Sequence, residues 1–208
     1  MNGIPGALAL IALSYLIGAI PFGILVGRAS GGVDLREHGS GRIGATNALR
    51  TLGLPAAALV FILDIGKGAG AVLLVRWLYQ GGPAGSPDWV AAGAGLAAVF
   101  GHVRSAFIGF AGGRGVATFT GAMVVLAPAV VAVLLPVFAV IVWRWRYVSL
   151  GSISVAILAP MATAVLAIMG ASTIAVVAFA GAAGALVVSA HGDNIARLRA
   201  GTERRIGR

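Results

Sequence analysis

Three polar segments of the chain carry the residue types that could do chemistry, and each lies beside a long apolar run. The first, residues 38–53, reads HGSGRIGATNALRTLG, and the others cover residues 102–115 and 191–208. Together they offer arginines, hydroxyls, asparagines, histidines and many glycines. Arginine forks bind phosphate oxygens in pairs, and glycine lets backbone N–H groups approach an anion closely. If the segments converge, they predict a site for a phosphorylated compound.

The first segment also matches a nucleotide-binding pattern, but its surroundings argue against that function. Residues 39–44 read GSGRIG, which fits G-x-G-x-x-G. A dinucleotide fold needs a buried strand before these glycines and a βαβ unit around them. Here the charged stretch VDLREH precedes the glycines, and Asp64, the candidate ribose ligand, lies within an apolar run. We therefore reject that fold. The chain also lacks the Walker A, G-x-S-x-G and His-x4-Asp patterns of other enzyme classes.

Two charged residues, Asp64 and Lys67, lie inside the second apolar run. Because they are three positions apart, they share a helix face. Charge inside a membrane is costly unless it is paired, and such residues are functional candidates. Two interpretations stay open: a structural ion pair, or a part of the site in which Lys67 binds phosphate. For His38 and His102 we expect structural or loop roles, because no partner lies nearby in the sequence.

The composition indicates which elements must position these segments. Apolar residues make up 59% of the chain and charged residues 10%, against about 25% charged in soluble domains. Apolar runs of about 20 residues can cross hydrocarbon as helices, so we predict an all-α, polytopic membrane protein. The absence of cysteine excludes disulfides and thiolate nucleophiles. Scattered histidines predict no metal site. We expect no cofactor and no nucleic-acid partner, since the arginines lie where loop charge sets membrane topology.

Charge also decides the number and direction of the membrane segments. The apolar run at 116–143, interrupted by Pro128 and Pro136, would be about 40 Å long as one helix. A single crossing would place Arg144, Arg146 and the arginine-rich tail outside, whereas a hairpin at Pro128 keeps them cytoplasmic, as the positive-inside rule prefers. We therefore predict one integral-membrane domain over residues 1–208, with its N-terminus outside and its C-terminus cytoplasmic. Its seven transmembrane segments are the two hairpin arms and residues 4–26, 55–79, 89–107, 148–168 and 172–190.

The polar segments, read in order, resemble one enzyme family. GSGRIGATNALRTLG, DIGKGAGA, GHVRSAFIGFAGGRGVAT and HGDNIARLRAGTE are similar to motifs of the bacterial acyl-phosphate-dependent glycerol-3-phosphate acyltransferases, the PlsY family. The resemblance implies a seven-helix protein of the bacterial inner membrane with its active site at the cytoplasmic face. It further implies transfer of a fatty acyl group from acyl phosphate to the 1-hydroxyl of glycerol 3-phosphate. The products are lysophosphatidic acid, a precursor in phospholipid synthesis, and phosphate.

The same resemblance implies a set of site residues. Carried over by motif, these are Ser40, Thr46, Asn47, Arg50, Gly112, Gly113, Gly115, His191, Asn194 and Glu203. The residue types themselves add four phosphate-binding candidates: Gly39, Gly41, Lys67 and Arg114. We assign catalysis to Ser40, Arg50, His191 and Asn194, and substrate binding to the remainder.

The implied chemistry needs little from the protein beyond positioning. Acyl phosphate is an activated mixed anhydride, so the enzyme must mainly align two anionic substrates. Arg50 and Arg114 are the expected phosphate ligands. Ser40 and Asn47, with glycine N–H groups, are the expected donors to the developing oxyanion. The proton acceptor stays open between His191, with an ordinary pKa near 6.5, and a substrate phosphate oxygen; His191 could instead orient its neighbours or bind phosphate.

Two positions depart from the family pattern, which usually has Asn at position 42 and Lys at position 114. The chain has Arg42 and Arg114 there, and it contains one lysine against fourteen arginines, so composition bias explains the second change as well as adaptation does. A planar fork then replaces a point donor, which changes the geometry. The alternative function is a small-anion transporter or channel, because intramembrane charges and proline-broken helices occur in transporters. Against it, no internal repeat links the two halves of the sequence.

Overall fold

The computed structural model describes residues 3–82 and 85–207. In these ranges it contains ten α-helices: α1 Ile4–Ala19, α2 Phe22–Ala29, α3 Ala45–Leu52, α4 Leu54–Leu78, α5 Pro87–Val103, α6 Val116–Leu126, α7 Pro128–Trp145, α8 Val148–Ile168, α9 Ile174–Ser189 and α10 Gly192–Arg199. Short 3-10 helices, Leu35–Glu37 and Ala106–Ile108, lie in the loops before α3 and α6. The same ranges form no β-strand, only an isolated bridge between Gly82 and Gly85. The predicted all-α fold is confirmed.

The helices of the described ranges include five segments that are long and apolar enough to cross a membrane. These are Ile4–Ala29, Leu54–Leu78, Pro87–Ile108, Pro128–Trp145 and Val148–Ile168. A sixth arises if α9 and α10, which meet at a bend of 60°, form one span. The apolar helix α6 has 11 residues, or about 16 Å, which is short for a hydrocarbon core of about 30 Å. Each predicted segment thus corresponds to helix, while seven complete crossings stay a prediction.

The chain reverses direction at the hairpin expected near Pro128. Between α6 and α7, Ala127 has a non-helical backbone with φ of −149°, because proline disfavours helical backbone at the residue before it but suits a first turn. Val116 at the start of α6 and Phe138 late in α7 line the same cavity, so the two helices run in opposite directions. The expected interruption at Pro136 is wrong, since this residue lies inside α7. Neighbouring packing in a membrane bundle can accommodate such a proline.

The first predicted segment, residues 4–26, is divided into two helices. α1 ends at Ala19 and α2 begins at Phe22, because Pro21 disfavours helical backbone at Ile20 and has no N–H to donate. At this break the Ile20 carbonyl accepts a hydrogen bond from Lys67 Nζ at 2.9 Å. The buried lysine therefore ties the break between α1 and α2 to the middle of α4.

The helices α4, α5 and α6 pack closely against their neighbours. A side chain at Gly68 would overlap the backbone of Thr118, and one at Gly121 would overlap that of Ile65, so α4 and α6 approach as small residues allow in membranes. α5 packs against α1, α4 and α9. The outward faces carry large exposed apolar side chains, as lipid contact requires: Leu8, Ile62, Trp77, Val133, Trp143 and Ile168.

Candidate active site

All three polar segments meet at one cavity of about 180 Å³, which residues of α4 to α8 also line. Its polar lining residues are Ser40, Arg42, Thr46, Asn47, Arg50, Asp64, His102, Arg114, Ser149, Ser152, His191, Asn194 and Glu203. The expected convergence of the three segments is confirmed. The predicted site residues that do not line this cavity are Gly39, Gly41, Lys67, Gly112 and Gly113.

The first loop is built around Asn47, which is only 2% exposed. Its amide nitrogen lies within 2.8–3.0 Å of the carbonyl oxygens of Leu35, His38 and Arg42. Its amide oxygen accepts the Ser40 backbone N–H at 2.9 Å. Because both polar atoms of the side chain are used within the loop, Asn47 shapes the loop, and the expected oxyanion role does not fit it.

Asn47 also helps to explain why residue 39 is a glycine. Its φ of +59° lies in the left-handed region, which glycine adopts without strain. A side chain there would also overlap the Asn47 amide oxygen. Gly41, at φ +68°, follows two residues later. These two glycines therefore fold the turn that presents Ser40 at the cavity.

Arg50 is an exposed cation at the cavity. It follows Thr46 by four positions on α3, so both side chains share one helix face. Its guanidinium donates only to the Arg204 carbonyl, at 3.4 Å, and within the described residues it pairs with no carboxylate. Partial burial and the nearby Arg204 lower its pKa, yet an arginine stays charged at neutral pH. An unpaired guanidinium at a cavity mouth can bind an anion.

The second glycine-rich loop packs tightly against the end of α5. A side chain at Gly112 would overlap the His102 carbonyl, and one at Gly113 would overlap the His102 ring. The Gly113 N–H donates to the His102 carbonyl at 3.1 Å. Gly115 then caps α6 in the left-handed conformation, with φ +81°. The glycines thus let the loop lie against α5 and bring the N-terminus of α6 to the cavity.

Arg114 and that helix N-terminus form a second anion-binding element. Gly115, Val116 and Ala117 line the cavity, and the first N–H groups of a helix bind anions. Arg114 Nη2 donates to Asp193 Oδ2 at 2.7 Å, while its buried Nε has no partner among the described residues. Burial lowers the pKa of Arg114, and Asp193 opposes this shift. Arg114 therefore keeps free donor capacity beside the helix end.

The tail is fixed through Glu203, whose side chain is 5% exposed. One carboxylate oxygen accepts from Asn194 Nδ2 at 2.7 Å and Ser149 Oγ at 3.0 Å, and the other accepts from Arg197 Nε at 2.8 Å. A carboxylate with these partners holds the tail against α8 and α10, so the expected phosphate-binding role does not fit Glu203. The amide oxygen of Asn194 is buried without a partner in the described residues and can accept a hydrogen bond from a substrate hydroxyl.

His191 lies at the bend between α9 and α10. Its Nδ1 is 2.7 Å from the Val187 carbonyl, so the neutral ring carries its proton on Nδ1 and leaves Nε2 as an acceptor. Burial lowers the pKa of His191 to about 4, a hydrogen bond to Val187 opposes this, and Arg114 lowers it further. A neutral ring at pH 7 favours proton acceptance or positioning over binding phosphate as a cation.

Lys67 does not occupy the expected phosphate-binding position. Its Nζ contacts Asp64 Oδ1 at 2.7 Å and the Ile20 carbonyl at 2.9 Å, and it does not line the cavity. The structural ion pair is therefore the correct interpretation for Lys67. Asp64 and His102, by contrast, line the cavity. The charge of Asp64 inside an apolar run signalled this position, whereas His102 gave no such signal because its partner is distant in sequence.

Two further spaces adjoin the cavity. An apolar groove of about 100 Å³ between α6, α7 and α8 shares Phe61, Val116 and Phe138 with it. A larger cleft of about 980 Å³, bordered by residues 201–207, shares Thr46, Arg50 and Glu203 with it. Among the residues that the structure describes, no three His, Asp or Glu side chains are placed to hold a metal ion. The site thus joins a polar, basic chamber to an apolar groove.

Comparison with known proteins decides between the open functions. Residues 8–201 match the sequence model of a family described as glycerol-3-phosphate acyltransferase. The chain belongs to this family. A glycerol-3-phosphate acyltransferase from Synechocystis is 40% identical over 96% of this chain and 90% of its own length. One from Geotalea daltonii is 44% identical over 94% of this chain and 95% of its own.

Solved structures agree with this acyltransferase assignment. PlsY, an integral membrane glycerol 3-phosphate acyltransferase, is similar in its glycerol 3-phosphate form with a TM-score of 0.85 and 39% identity. Its lysophosphatidic acid form gives a TM-score of 0.83 and 38% identity, and both comparisons cover 97% of this chain and 96% of the other. The chain is therefore an integral-membrane acyltransferase, and a transporter or channel function is not favoured.

Proposed function

We propose that this acyltransferase moves a fatty acyl group from acyl phosphate to the 1-hydroxyl of glycerol 3-phosphate, giving lysophosphatidic acid and inorganic phosphate. The observation that carries this proposal is the junction of two unlike spaces at one cavity. A chamber with Arg50, Arg114 and a helix N-terminus fits phosphate groups, and the adjoining apolar groove fits an acyl chain. The glycerol 3-phosphate and lysophosphatidic acid forms of PlsY support this choice of substrate and product.

The chamber offers two separate phosphate sites, as two anionic substrates require. Arg50 lies on α3 at the mouth shared with the large cleft, where glycerol 3-phosphate can arrive from water. Arg114 lies beside the N-terminus of α6, next to Val116 of the apolar groove. We assign the phosphate of the acyl donor to Arg114 and that of glycerol 3-phosphate to Arg50, because only the donor must reach both phosphate site and groove.

The reaction then depends on alignment. The 1-hydroxyl attacks the acyl carbonyl carbon, the carbonyl–phosphate bond breaks, and phosphate leaves with the bonding electrons. The Ser40 hydroxyl, held at the cavity by its loop, is the proposed donor to the carbonyl oxygen as charge develops. The hydroxyl proton passes to His191 Nε2 or to a substrate phosphate oxygen. Asn194, fixed by Glu203, orients the attacking glycerol through its free amide oxygen.

The groove suits the carbonyl end of a long chain. From Val116 to Met123 it follows eight residues of α6, about 10 Å of helix. Leu135, one of its lining residues, is 58% exposed, so the far part of a long acyl chain can reach the lipid. An acyl phosphate can thus enter from the bilayer while glycerol 3-phosphate enters from water.

We further propose that residues 1–208 form one domain in a bacterial inner membrane, with seven segments and the cavity at the cytoplasmic face. The loop after α7 and the tail lie together, since Arg146 donates to the carbonyls of Ile206 and Gly207. Arg50 also meets the tail, through the Arg204 carbonyl. This concentration of arginines on the site face supports a cytoplasmic position by the positive-inside rule.

The test of this function is the choice of acyl donor. Membranes that contain the chain, and matched membranes without it, are supplied with radiolabelled glycerol 3-phosphate and either palmitoyl phosphate or palmitoyl-CoA. We expect labelled lysophosphatidic acid from palmitoyl phosphate alone. Transfer from palmitoyl-CoA alone would contradict the assignment of acyl phosphate as the donor. Uptake of label without transfer would contradict the acyltransferase function.

A further inference from the structure

Three buried residues connect the break after α1 to the second glycine-rich loop. Lys67 Nζ bridges the Ile20 carbonyl and the Asp64 carboxylate, at 2.9 and 2.7 Å. The same carboxylate oxygen lies 3.4 Å from His102 Nδ1. All three side chains are at most 3% exposed. A contiguous polar chain therefore crosses α4 and α5 inside the bundle.

His102 connects this row of polar groups to the loop, both through its backbone carbonyl and through its ring. Its carbonyl accepts the Gly113 N–H at 3.1 Å. Its ring turns Nδ1 toward Asp64, and Nε2 is the atom that a side chain at Gly113 would meet first. The position of the ring therefore limits how deeply Gly113, and with it Arg114 and the start of α6, can settle toward the cavity.

An ion pair alone does not explain this arrangement. Lys67 contacts Asp64 and a backbone carbonyl and is not among the cavity-lining residues, whereas Asp64 and His102 both line the cavity. His102 Nδ1 is buried 3.4 Å from Asp64 Oδ1 and completes no hydrogen bond within the described residues. The ring is thus packed between the Asp64 carboxylate and the loop at Gly113.

We infer that Asp64 and His102 are positioning residues of the acyltransferase: the Asp64 carboxylate orients the His102 ring, and the ring sets the glycine-rich loop at residues 112–115 for phosphate binding. This inference rests on the proposed function, since it takes that loop as the site of the donor phosphate. Neither residue transfers a proton or touches the reacting atoms. Their effect is transmitted to substrate through Gly113, Arg114 and the N-terminus of α6.

The test uses purified full-length protein in detergent and varies each substrate in turn. His102→Gln keeps the Asp64–Lys67 pair whole and removes only the ring. Asp64→Asn combined with Lys67→Met removes both charges together, which spares the bundle an unpaired buried charge. For both variants we expect the KM for palmitoyl phosphate to rise about tenfold or more, as small misplacements cost, with the KM for glycerol 3-phosphate little changed. Asp64→Glu, which keeps the carboxylate, should raise the KM for palmitoyl phosphate less than the double variant does.

A matched control is Ser14→Ala, which removes a buried hydrogen bond of 2.8 Å to the Leu10 carbonyl at a position outside the cavity lining. It should leave both KM values unchanged. KM is the deciding quantity because a smaller amount of folded enzyme lowers the maximal rate without changing KM. Unchanged KM values in His102→Gln, or an equal rise for both substrates, would overturn the inference. If wild-type protein makes no lysophosphatidic acid, the proposed function fails instead.

Discussion

At the scale of residues, the two arginines that we expect to bind phosphate differ in how far their guanidinium groups are already paired. Among the residues that the structure describes, Arg50 hydrogen-bonds only to a carbonyl, whereas Arg114 shares Asp193 with Arg197. An arginine without a carboxylate is ready for substrate, and one with a carboxylate is already oriented. The two proposed phosphate sites therefore differ in preorganisation, and exchange of either arginine should affect a different substrate.

Arg114 gives the first prediction, because the family resemblance leads us to expect lysine at this position. Arg114→Lys keeps the charge and loses the fork that holds Asp193, so we expect most of the activity to remain. Arg114→Gln loses the charge and with it about 1.5–3 kcal/mol of a charged hydrogen bond. That loss should weaken apparent affinity for acyl phosphate roughly 10- to 100-fold. Steady-state kinetics with each substrate varied would refute the phosphate-ligand role if the two variants behaved alike.

His191 gives a prediction about pH. Its folded-state pKa of about 4 lies below the ordinary 6.5, so the unfolded chain binds this proton first as pH falls. The stability that the neutral ring contributes is complete above pH 6.5 and is lost as pH falls from 6.5 toward 4, by about 3 kcal/mol at most. Thermal unfolding in detergent should show this loss in wild type and a flatter profile in His191→Asn. Parallel profiles would show that His191 titrates normally in the folded protein.

At the scale of elements, the cavity exists because polar loops and apolar helices end at the same place. α6, α7 and α8 each supply residues to both the chamber and the groove. Side chains on four helices, α4, α6, α7 and α8, line the groove. The sequence pattern could not assign them to it, since each of these helices is apolar on most of its surface. Its function can be tested at a single position.

Val155 on α8 lines the groove but not the chamber. Val155→Phe should fill much of the groove, which measures about 100 Å³, without touching the phosphate sites. We expect turnover of palmitoyl phosphate to fall while turnover of acetyl phosphate, which has no chain to place, is kept. Val165→Phe, at an exposed position on the same helix, is the matched control. An equal loss with both donors would contradict an acyl-chain role for the groove.

Sequence reasoning found the loops because their chemistry is local. Arginines, glycines and motif order within each segment already predict a phosphate site, and Pro128 predicts the reversal between α6 and α7. Sequence reasoning failed where the role of a residue depends on the direction in which its side chain points. Lys67 could face the site or a partner, and only the bundle shows it on the Ile20 carbonyl. Asn47 matched a site motif, yet its amide is consumed by backbone carbonyls of its own loop.

At the scale of the whole molecule, the proposed orientation predicts which positions can be reached by an impermeant reagent added outside the cell. The chain has no cysteine, so single cysteines report without background. Gln80→Cys, at the exposed end of α4, should react with an impermeant thiol reagent in intact cells. Thr202→Cys, in the exposed tail, should react only after the membrane is opened. Labelling of Thr202→Cys in intact cells would reverse the orientation and move the cavity to the outer face.

In the proposed reaction, one cavity transfers an acyl group between two phosphate compounds. The most direct measurement is the stoichiometry of products made by purified wild-type protein from palmitoyl phosphate and glycerol 3-phosphate, compared with Arg50→Ala of equal thermal stability. We predict lysophosphatidic acid and inorganic phosphate in equal amounts from wild type, and a large loss of both in Arg50→Ala. Phosphate release without lysophosphatidic acid, or wild-type rates in Arg50→Ala, would contradict the account.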